Sequence, residues 1–220
     1  MSALCIGLLV IEMVETIQQF QQSDVTIVED QLSFGGFFKL RKLLLNHKRF
    51  DGSQSANFER ELCVRGDAVG VLLYDPSLQQ FALVEQIRIG VLGREQSPWL
   101  LEIVAGMLDK EGELKEDVAK RETMEEAGLE VDVIEPMLEY FCSPGGSTEF
   151  FSLFCAKVDL SEAQAGVFGV ADEHEDIRLH ILSVEQALEL LNTGFINNAM
   201  TVIALQWFQL NKKRLDKTWL

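Results

Sequence analysis

Basic side chains are scarce in this chain of 220 residues, and the scarcity limits its partners. Lysine and arginine number 19 against 35 aspartates and glutamates, which gives a formal net charge of −16. A chain this acidic repels polyphosphate backbones, so we expect no nucleic-acid partner. An anionic substrate would need a metal ion or a local group of arginines to attract it.

Cysteine and histidine are too few and too scattered for a zinc site. The four cysteines form no C-x-x-C pair, and the three histidines stand at no zinc spacing. Such cysteines are typical of reduced, structural thiols. We therefore expect a cytoplasmic protein.

Long apolar runs are also missing. No run reaches the length of a membrane span, so we expect no membrane partner. The short apolar stretch at residues 3–11 follows no lysine or arginine and precedes no clear small-residue cleavage site, which disfavours a signal peptide. We expect a terminal extension there, or an edge strand or helix that docks on a partner.

The first 66 residues have the pattern of a small antiparallel sheet. Strand-like segments at 25–29 and 56–64 flank the turn-forming Asp51-Gly52-Ser53. Such a sheet is too small to bury its own core. We expect it to lean on the rest of the chain or on another subunit.

Residues 67–220 have the pattern of a second, larger region. Strands are predicted at 68–74, 81–86, 99–104, 131–133, 138–142, 149–158 and 177–182. Helices are predicted over 114–127, 184–191 and 198–210. Because strands stand on both sides of a central helix and the alternation is incomplete, an α/β sandwich is favoured over a doubly wound sheet.

The helix predicted over 114–127 carries a dense group of carboxylates near its C-terminal end. Glu122 and Glu126 are four residues apart and therefore share one face, with Glu125 beside them. Like charges at this spacing destabilise a helix, and the helix dipole disfavours anions at this end. A solvated face is the usual meaning of an acidic run, but a hard divalent cation bound by oxygens would explain this placement.

The stretch from Gly106 to Leu129 resembles the Nudix box, GX5EX7REUXEEXGU, in which U is an aliphatic residue. From Glu113 the match is nearly complete, with seven residues leading to Arg121 and then to Glu122, Glu125, Glu126, Gly128 and Leu129. Two positions depart from the pattern. Six residues rather than five separate Gly106 from Glu113, which affects the loop more than metal binding, and Thr123 replaces an aliphatic residue.

Other segments resemble the ADP-ribose pyrophosphatases of this superfamily, and are closest to the bacterial homodimeric type. Ser143-Pro-Gly-Gly146 with Glu149 is similar to their SPGG segment, and segments 85–89, 98–102, 171–176 and 202–207 are similar too. The resemblance implies an α/β/α sandwich of the α+β class. It also implies a homodimer in which the small N-terminal sheet is exchanged between the subunits. It also implies Mg²⁺-dependent hydrolysis of ADP-ribose to AMP and ribose 5-phosphate, with Mn²⁺ as an alternative ion.

The resemblance further implies how the metal is bound and the attacking water activated. Glu173 would be the general base, and His174 is the competing candidate. If the loop is extended, the side chains of residues 173 and 175 face the same side, and that of His174 does not. This favours Glu173 as the base. Arg121 would orient the box carboxylates through ion pairs. The metal ligands would be Glu122, Glu126, Glu175 and the backbone carbonyl of Ala105.

Eleven more residues match family positions that contact the substrate. Arginine suits bidentate phosphate binding, although each arginine taken alone would more often be an ordinary surface residue. Phe37 and Phe38 match an aromatic pair that packs on adenine, and in a strand the two would face opposite ways. The full set is Phe37, Phe38, Arg60, Glu61, Arg65, Arg88, Met107, Ser143, Pro144, Gly145 and Glu149.

Two other functions stay open. One is a related nucleotide-sugar pyrophosphatase, acting for instance on GDP-mannose. The other is a noncatalytic Nudix sensor that binds ADP-ribose. The SPGG-like segment favours ADP-ribose as substrate, and the retained box carboxylates favour an enzyme.

Overall fold

The computed structural model describes residues 17, 19–94, 96–110 and 112–220, with Glu173 described by its backbone alone. The apolar stretch at 3–11, with its expected terminal role, lies outside the described residues. The chain divides into two compact units. Residues up to 65 and residues 145–147 form one, which we call the N-terminal unit. Residues 66–144 and 148–220 form the other, which we call the main unit.

The N-terminal unit is a small antiparallel sheet, as its sequence predicts, and it has three strands. Its strands are β1 (Val25–Gly35), β2 (Lys39–His47) and β3 (Phe58–Val64), in the order β1-β2-β3. The turn between β2 and β3 is held by the Asp51 carboxylate, which accepts a hydrogen bond from the Ser53 N–H at 2.9 Å. Every residue of β1 is exposed in the single chain, including its apolar ones. The described residues of this unit therefore enclose no core of their own.

The main unit is built on a mixed sheet of eight strands. Strands β4 and β9 run parallel, and the other neighbours are antiparallel. The order is β10-β11-β5-β4-β9-β8, with β6 paired to β5 and β7 paired to β4. The strands are β4 (Ala68–Asp75), β5 (Gln80–Ile87), β6 (Trp99–Glu102), β7 (Val104–Met107), β8 (Val133–Phe141), β9 (Phe150–Lys157), β10 (Val167–Phe168) and β11 (Ile177–Ser183).

Helices cover both faces of this sheet, which confirms the predicted α/β/α sandwich. They are α1 (Lys115–Ala127), α2 (Val184–Asn192) and α3 (Ala199–Trp219). Alternate residues of the buried strand β4 point to opposite faces. Leu72 and Tyr74 belong to the core under α2 and α3, whereas Val71 and Leu73 belong to the core under α1. Among the helices of the described residues, none combines the length and apolar character that a bilayer crossing requires.

Three predicted boundaries in the main unit are wrong. The segments 131–133 and 138–142 are not two strands, since residues 133–141 form the single strand β8. The strand expected over 99–104 is interrupted at Ile103, whose N–H donates to the Thr201 hydroxyl at 2.9 Å instead of to a neighbouring strand. Helix α3 does not end at residue 210 but continues to Trp219, because Leu215 and Trp219 are buried on its inner face.

Candidate active site

Helix α1 lies close to the sheet because the side chains on its inner face are small. Ala119, Thr123 and Ala127 are all fully or almost fully buried. Thr123 fits a position that is usually aliphatic because its hydroxyl donates to the Ala119 carbonyl at 2.7 Å, so no polar group is left unsatisfied. The helix ends at Gly128, which adopts the left-handed conformation at φ 64°. This packing turns part of the acidic face of α1 toward β7.

Two of the box carboxylates are buried between α1 and β7. Glu126 is only 2% exposed, and its Oε2 accepts a hydrogen bond from the Ala105 N–H at 3.1 Å. Glu122 is 9% exposed and lies against Gly106. A Cβ at Gly106 would stand 2.0 Å from the Glu122 Cδ, so any larger residue there would displace this carboxylate from its present position.

Burial disfavours the charged forms of both carboxylates. It raises the pKa of Glu126 to about 8 and that of Glu122 to about 7. The charge of Glu175 adds to both shifts, which places this third carboxylate within electrostatic reach of the pair. A nearby cation would reverse the shifts by stabilising the ionised forms. Glu122 and Glu126 thus lie together, with Glu175 within electrostatic reach, and carboxylate oxygens suit a hard divalent ion.

In the structure each of these carboxylates is bonded to a donor of the chain. Glu122 accepts from Arg121 at 2.7 Å, Glu126 accepts from Ala105, and the Oε2 of Glu175 accepts from the Val170 N–H at 2.9 Å. Within the described ranges, no three acidic, imidazole or thiol groups converge on one point at metal-ligand spacing. Binding of one shared ion would require these side chains to rotate away from their present hydrogen-bond donors.

Arg121 is surrounded by carboxylates of the box segment. Its guanidinium contacts Glu122 at 2.7 Å, Glu125 at 3.1 Å and Glu113 at 3.3 Å. The Oε2 of Glu113 is buried and has no hydrogen-bond partner among the described residues. The predicted ion pairs between Arg121 and the box carboxylates are thus present.

The acidic loop 171–176 is tied to the end of α1. The Gly169 N–H donates to the Glu125 carbonyl at 3.1 Å, and this bond helps to bring Glu175 toward the box. The loop is not extended: residues 171–173 form a 3₁₀ turn, and His174 has a left-handed backbone at φ 58°. The prediction of Glu173 over His174 as the base assumed an extended loop, and that assumption is therefore wrong.

Arg88 lies in the main unit beside a buried carboxylate that was not singled out from the sequence. Its Nε donates to the Oε2 of Glu102 at 2.6 Å, and Glu102 is only 3% exposed. Burial raises the pKa of Glu102, and the charge of Arg88 partly opposes that shift. Segment 98–102 resembles the family, but the resemblance does not single out Glu102, and a glutamate at the end of a strand is most often a surface residue.

Five of the predicted substrate residues belong to the N-terminal sheet and its turns. Phe37 and Phe38 lie in the bend between β1 and β2, so the expectation of two aromatics facing opposite ways in a strand is wrong. Phe37 is 83% exposed, and the guanidinium of Arg65 lies 4.6 Å from the centre of the Phe38 ring. Arg60 stacks on the Phe58 ring at 4.7 Å. Glu61 is exposed on the same strand as Arg60.

The remaining predicted substrate residues are distributed over three places. Met107 ends β7, directly after Gly106. Ser143 and Pro144 are exposed in the loop between β8 and β9, and the Cys142 N–H donates across that loop to the Glu149 carbonyl at 3.2 Å. Gly145 is part of the N-terminal unit, where the neighbouring Gly146 accepts a hydrogen bond from the Cys63 N–H at 2.8 Å.

A cleft on the other face of the main sheet has none of the predicted site residues among the described side chains that line it. Its lining includes Glu85, Trp99 and Arg178. Glu85 follows Val84 on β5, so its side chain points away from α1. Its Oε2 stands 2.8 Å from the His180 Nε2. The buried carboxylates of α1, rather than this cleft, define the candidate active site.

Comparisons with known proteins place the chain in a family. The family model described as "NUDIX domain" matches residues 64–202. An ADP-ribose pyrophosphatase of Haemophilus influenzae is 44% identical over 206 residues, which span 92% of this chain and 94% of the relative. Its counterpart in Escherichia coli K12 is also 44% identical, over 91% of this chain and 95% of the relative.

Two further similarities are more distant. A GDP-mannose pyrophosphatase of Escherichia coli O1:K1 is 32% identical over 85% of this chain and 96% of the relative. The crystal structure of an "ADP compounds hydrolase" superposes with a TM-score of 0.66 at 18% identity, covering 89% of this chain and 98% of that chain, which shows a shared fold. The chain belongs to the Nudix hydrolase family. Enzymes of this family generally need divalent metal ions.

Proposed function

We propose that the chain hydrolyses the pyrophosphate bond of ADP-ribose, giving AMP and ribose 5-phosphate, with Mg²⁺ as the ion and Mn²⁺ as an alternative. The observation that carries the proposal is the pair of buried box carboxylates, Glu122 and Glu126, beside β7. The 44% identity to ADP-ribose pyrophosphatases over almost the whole length of both chains supports this substrate.

The metal ligands are Glu122, Glu126, Glu175 and the carbonyl of Ala105. When bound, the ion withdraws charge from the phosphate and lowers the pKa of a water molecule. Arg121 holds the box carboxylates in place through its ion pairs.

Glu173 takes the proton from the attacking water. Carboxylates that bind a cation have a lowered pKa and are poor bases, so the base belongs outside the box helix. With the loop known to be folded rather than extended, the assignment rests on the match of residues 171–176 to the family loop. His174 remains its competitor.

Substrate recognition draws on residues of both units. Arg60, Arg65 and Arg88 bind the phosphates and ribose, because guanidinium groups match phosphate oxygens in bidentate geometry. The exposed Phe37 and its neighbour Phe38 pack on adenine. Glu61 also contacts the substrate. The terminal ribose is bound by Met107, Ser143, Pro144, Gly145 and Glu149.

The active protein is a homodimer in which the N-terminal sheet is exchanged. This sheet exposes a row of apolar side chains that a single chain leaves in water, and a partner would cover them. Val25, Ile27, Val28, Leu32 and Phe34 are between 45% and 63% exposed. Residues 1–66 thus serve dimerisation and substrate contact, and residues 67–220 carry the metal site. The chain acts in the cytoplasm, where its cysteines stay reduced.

A substrate panel with Mg²⁺ and product identification tests the proposal. ADP-ribose, GDP-mannose and related nucleotide sugars are compared by kcat/KM, and the products are identified by mass. We expect ADP-ribose to give the highest kcat/KM, with AMP and ribose 5-phosphate as products. A preference for GDP-mannose would favour the activity named for the 32% identical relative. Binding of ADP-ribose without turnover would favour the noncatalytic sensor.

A further inference from the structure

Three polar side chains of the main sheet point to the same face as α1. On β5, Val84 belongs to the core under α1, and Gln86 and Arg88 follow it at intervals of two along an extended backbone. In the antiparallel pairing of β5 with β6, Glu102 stands opposite Val84. Residues directly opposite each other in a sheet share a face, so Glu102 lies on the α1 side as well.

Glu102 makes a close contact with Arg88 on this face. The Nε–Oε2 distance is 2.6 Å, and the carboxylate is 3% exposed while the Arg88 side chain is 39% exposed. A guanidinium is planar, so a bond from Nε to a fixed carboxylate limits the direction of the two terminal nitrogens.

We propose that Glu102 is a positioning residue, which holds the Arg88 guanidinium so that its terminal nitrogens face the pyrophosphate of the substrate. This inference rests on the proposed function, in which Arg88 binds phosphate. A buried carboxylate is costly unless it is paired, and the Arg88 pair explains its presence here. Freed from Glu102, the long arginine side chain would sample several rotamers and lose alignment before substrate binds.

A double-mutant cycle tests this role. In the wild-type background, Glu102→Gln should lower kcat/KM by about 10–100-fold, because misplacement of a binding group costs about that much. In an Arg88→Gln background, which keeps a donor for residue 102, the same change should alter kcat/KM less than about twofold, since the two act as a unit. The Mg²⁺ concentration for half activity should stay unchanged in Glu102→Gln.

Two controls separate positioning from general stability. Glu135→Gln removes the carboxylate of another Arg–Glu pair in the main unit, where Arg214 contacts Glu135 at 2.5 Å, and it should leave kcat/KM unchanged. Glu102→Asp keeps the charge and should recover part of the loss seen in Glu102→Gln. It also replaces Glu102→Gln in the cycle if thermal unfolding shows that the amide variant does not fold.

The cycle is run on whichever panel substrate the wild type hydrolyses fastest, and in parallel on the Kd of ADP measured by calorimetry. If ADP-ribose is not the substrate, the substrate panel shows this. The double-mutant cycle can still be interpreted, because it uses the substrate that the wild type does hydrolyse. Equal losses from Glu102→Gln in both Arg88 backgrounds would overturn the positioning role. A smaller loss in the Arg88→Gln background supports it.

Discussion

At the scale of single residues, the unusual feature is a pair of acidic side chains buried together. Glu122 and Glu126 lie on one face of α1 with raised pKa values, and Gly106 leaves the space that Glu122 needs. Natural cores avoid such groups unless a partner compensates for the lost hydration. Without metal, these two carboxylates should therefore lower the free energy of unfolding of the protein. Measurements of protein stability can test this.

The first prediction concerns stability against pH without metal. The folded pKa values of about 7 for Glu122 and about 8 for Glu126 lie above the ordinary value of 4.5. The folded state thus keeps protons that the unfolded chain releases, so stability is greatest at low pH within this window and is lost as pH rises through 7 and 8. Thermal unfolding in chelator from about pH 5 to about pH 9 should show a falling Tm.

Two controls accompany the pH series. Glu126→Gln should make the decrease in Tm with pH smaller. Added Mg²⁺ should also reduce this decrease, because it stabilises the ionised carboxylates. A Tm that rises from neutral to alkaline pH in chelator would contradict the assigned cause.

The second prediction concerns the base. Glu173→Gln should lower kcat by about 10²–10⁴-fold, the usual contribution of a general base, with little change in Mg²⁺ dependence. Glu175→Gln should instead raise the Mg²⁺ concentration needed for half activity. If Glu173→Gln keeps a wild-type rate and His174→Ala does not, the base is His174.

The roles of some residues could be inferred from the sequence and others could not. The box carboxylates could be identified because the residues from Glu113 to Leu129 match the Nudix box and because acidic side chains are unusual near the C-terminal end of a helix. Glu102 was missed, because its burial and its bond to Arg88 result from strand pairing across 14 positions of the chain. The setting of Phe37 and Phe38 was misjudged, because Gly35-Gly36 bends the chain before them.

At the scale of elements, α1 was predicted almost to the residue, whereas α3 was predicted too short. Gly128 marks the end of α1 by a local conformational rule. The last two turns of α3 instead depend on distant contacts, since the Tyr74 hydroxyl of β4 donates to Asp216 at 2.5 Å. The polar run at residues 211–214 suggests an exposed end, and the anchors Leu215 and Trp219 lie beyond it.

The third prediction tests this extension of α3. Leu215 is fully buried, so Leu215→Ala should lower the free energy of unfolding by about 2–5 kcal/mol. Leu210 lies on the same helix and is 87% exposed, so Leu210→Ala should change the free energy of unfolding by about 0.5 kcal/mol or less. Urea unfolding of the two variants measures the difference. Equal values would mean that the last turns of α3 do not contribute to the core.

At the scale of the whole molecule, the chain joins a well-packed main unit to a sheet that lacks a core. The sandwich of the main unit was predictable because its strands and helices carry ordinary hydrophobic patterns. The lack of a buried core in the described N-terminal sheet was predictable from its size. What covers its apolar side chains could not be predicted, because a hydrophobic pattern does not encode contacts beyond the sheet.

The fourth prediction tests the exchanged dimer. Phe37→Ala and Glu126→Gln damage the N-terminal sheet and the main unit respectively. If each site combines the sheet of one subunit with the main unit of the other, a mixed dimer has one intact site. Equal mixing should then restore about a quarter of wild-type activity, because half of the dimers are mixed and each has one of two sites intact. Absence of recovery in a preparation shown to exchange subunits would count against a shared site.

The most direct test of the account is the hydrolysis of ADP-ribose by Glu126→Gln against its matched control, Glu116→Gln. Both substitutions remove one negative charge from α1 and keep the side-chain size, but Glu126 is buried beside Ala105 and Glu116 is exposed in the first turn. At saturating Mg²⁺ we predict that Glu126→Gln loses several orders of magnitude in kcat and stays folded, while Glu116→Gln keeps the wild-type rate. Wild-type turnover by a folded Glu126→Gln protein would contradict the role of the buried carboxylates.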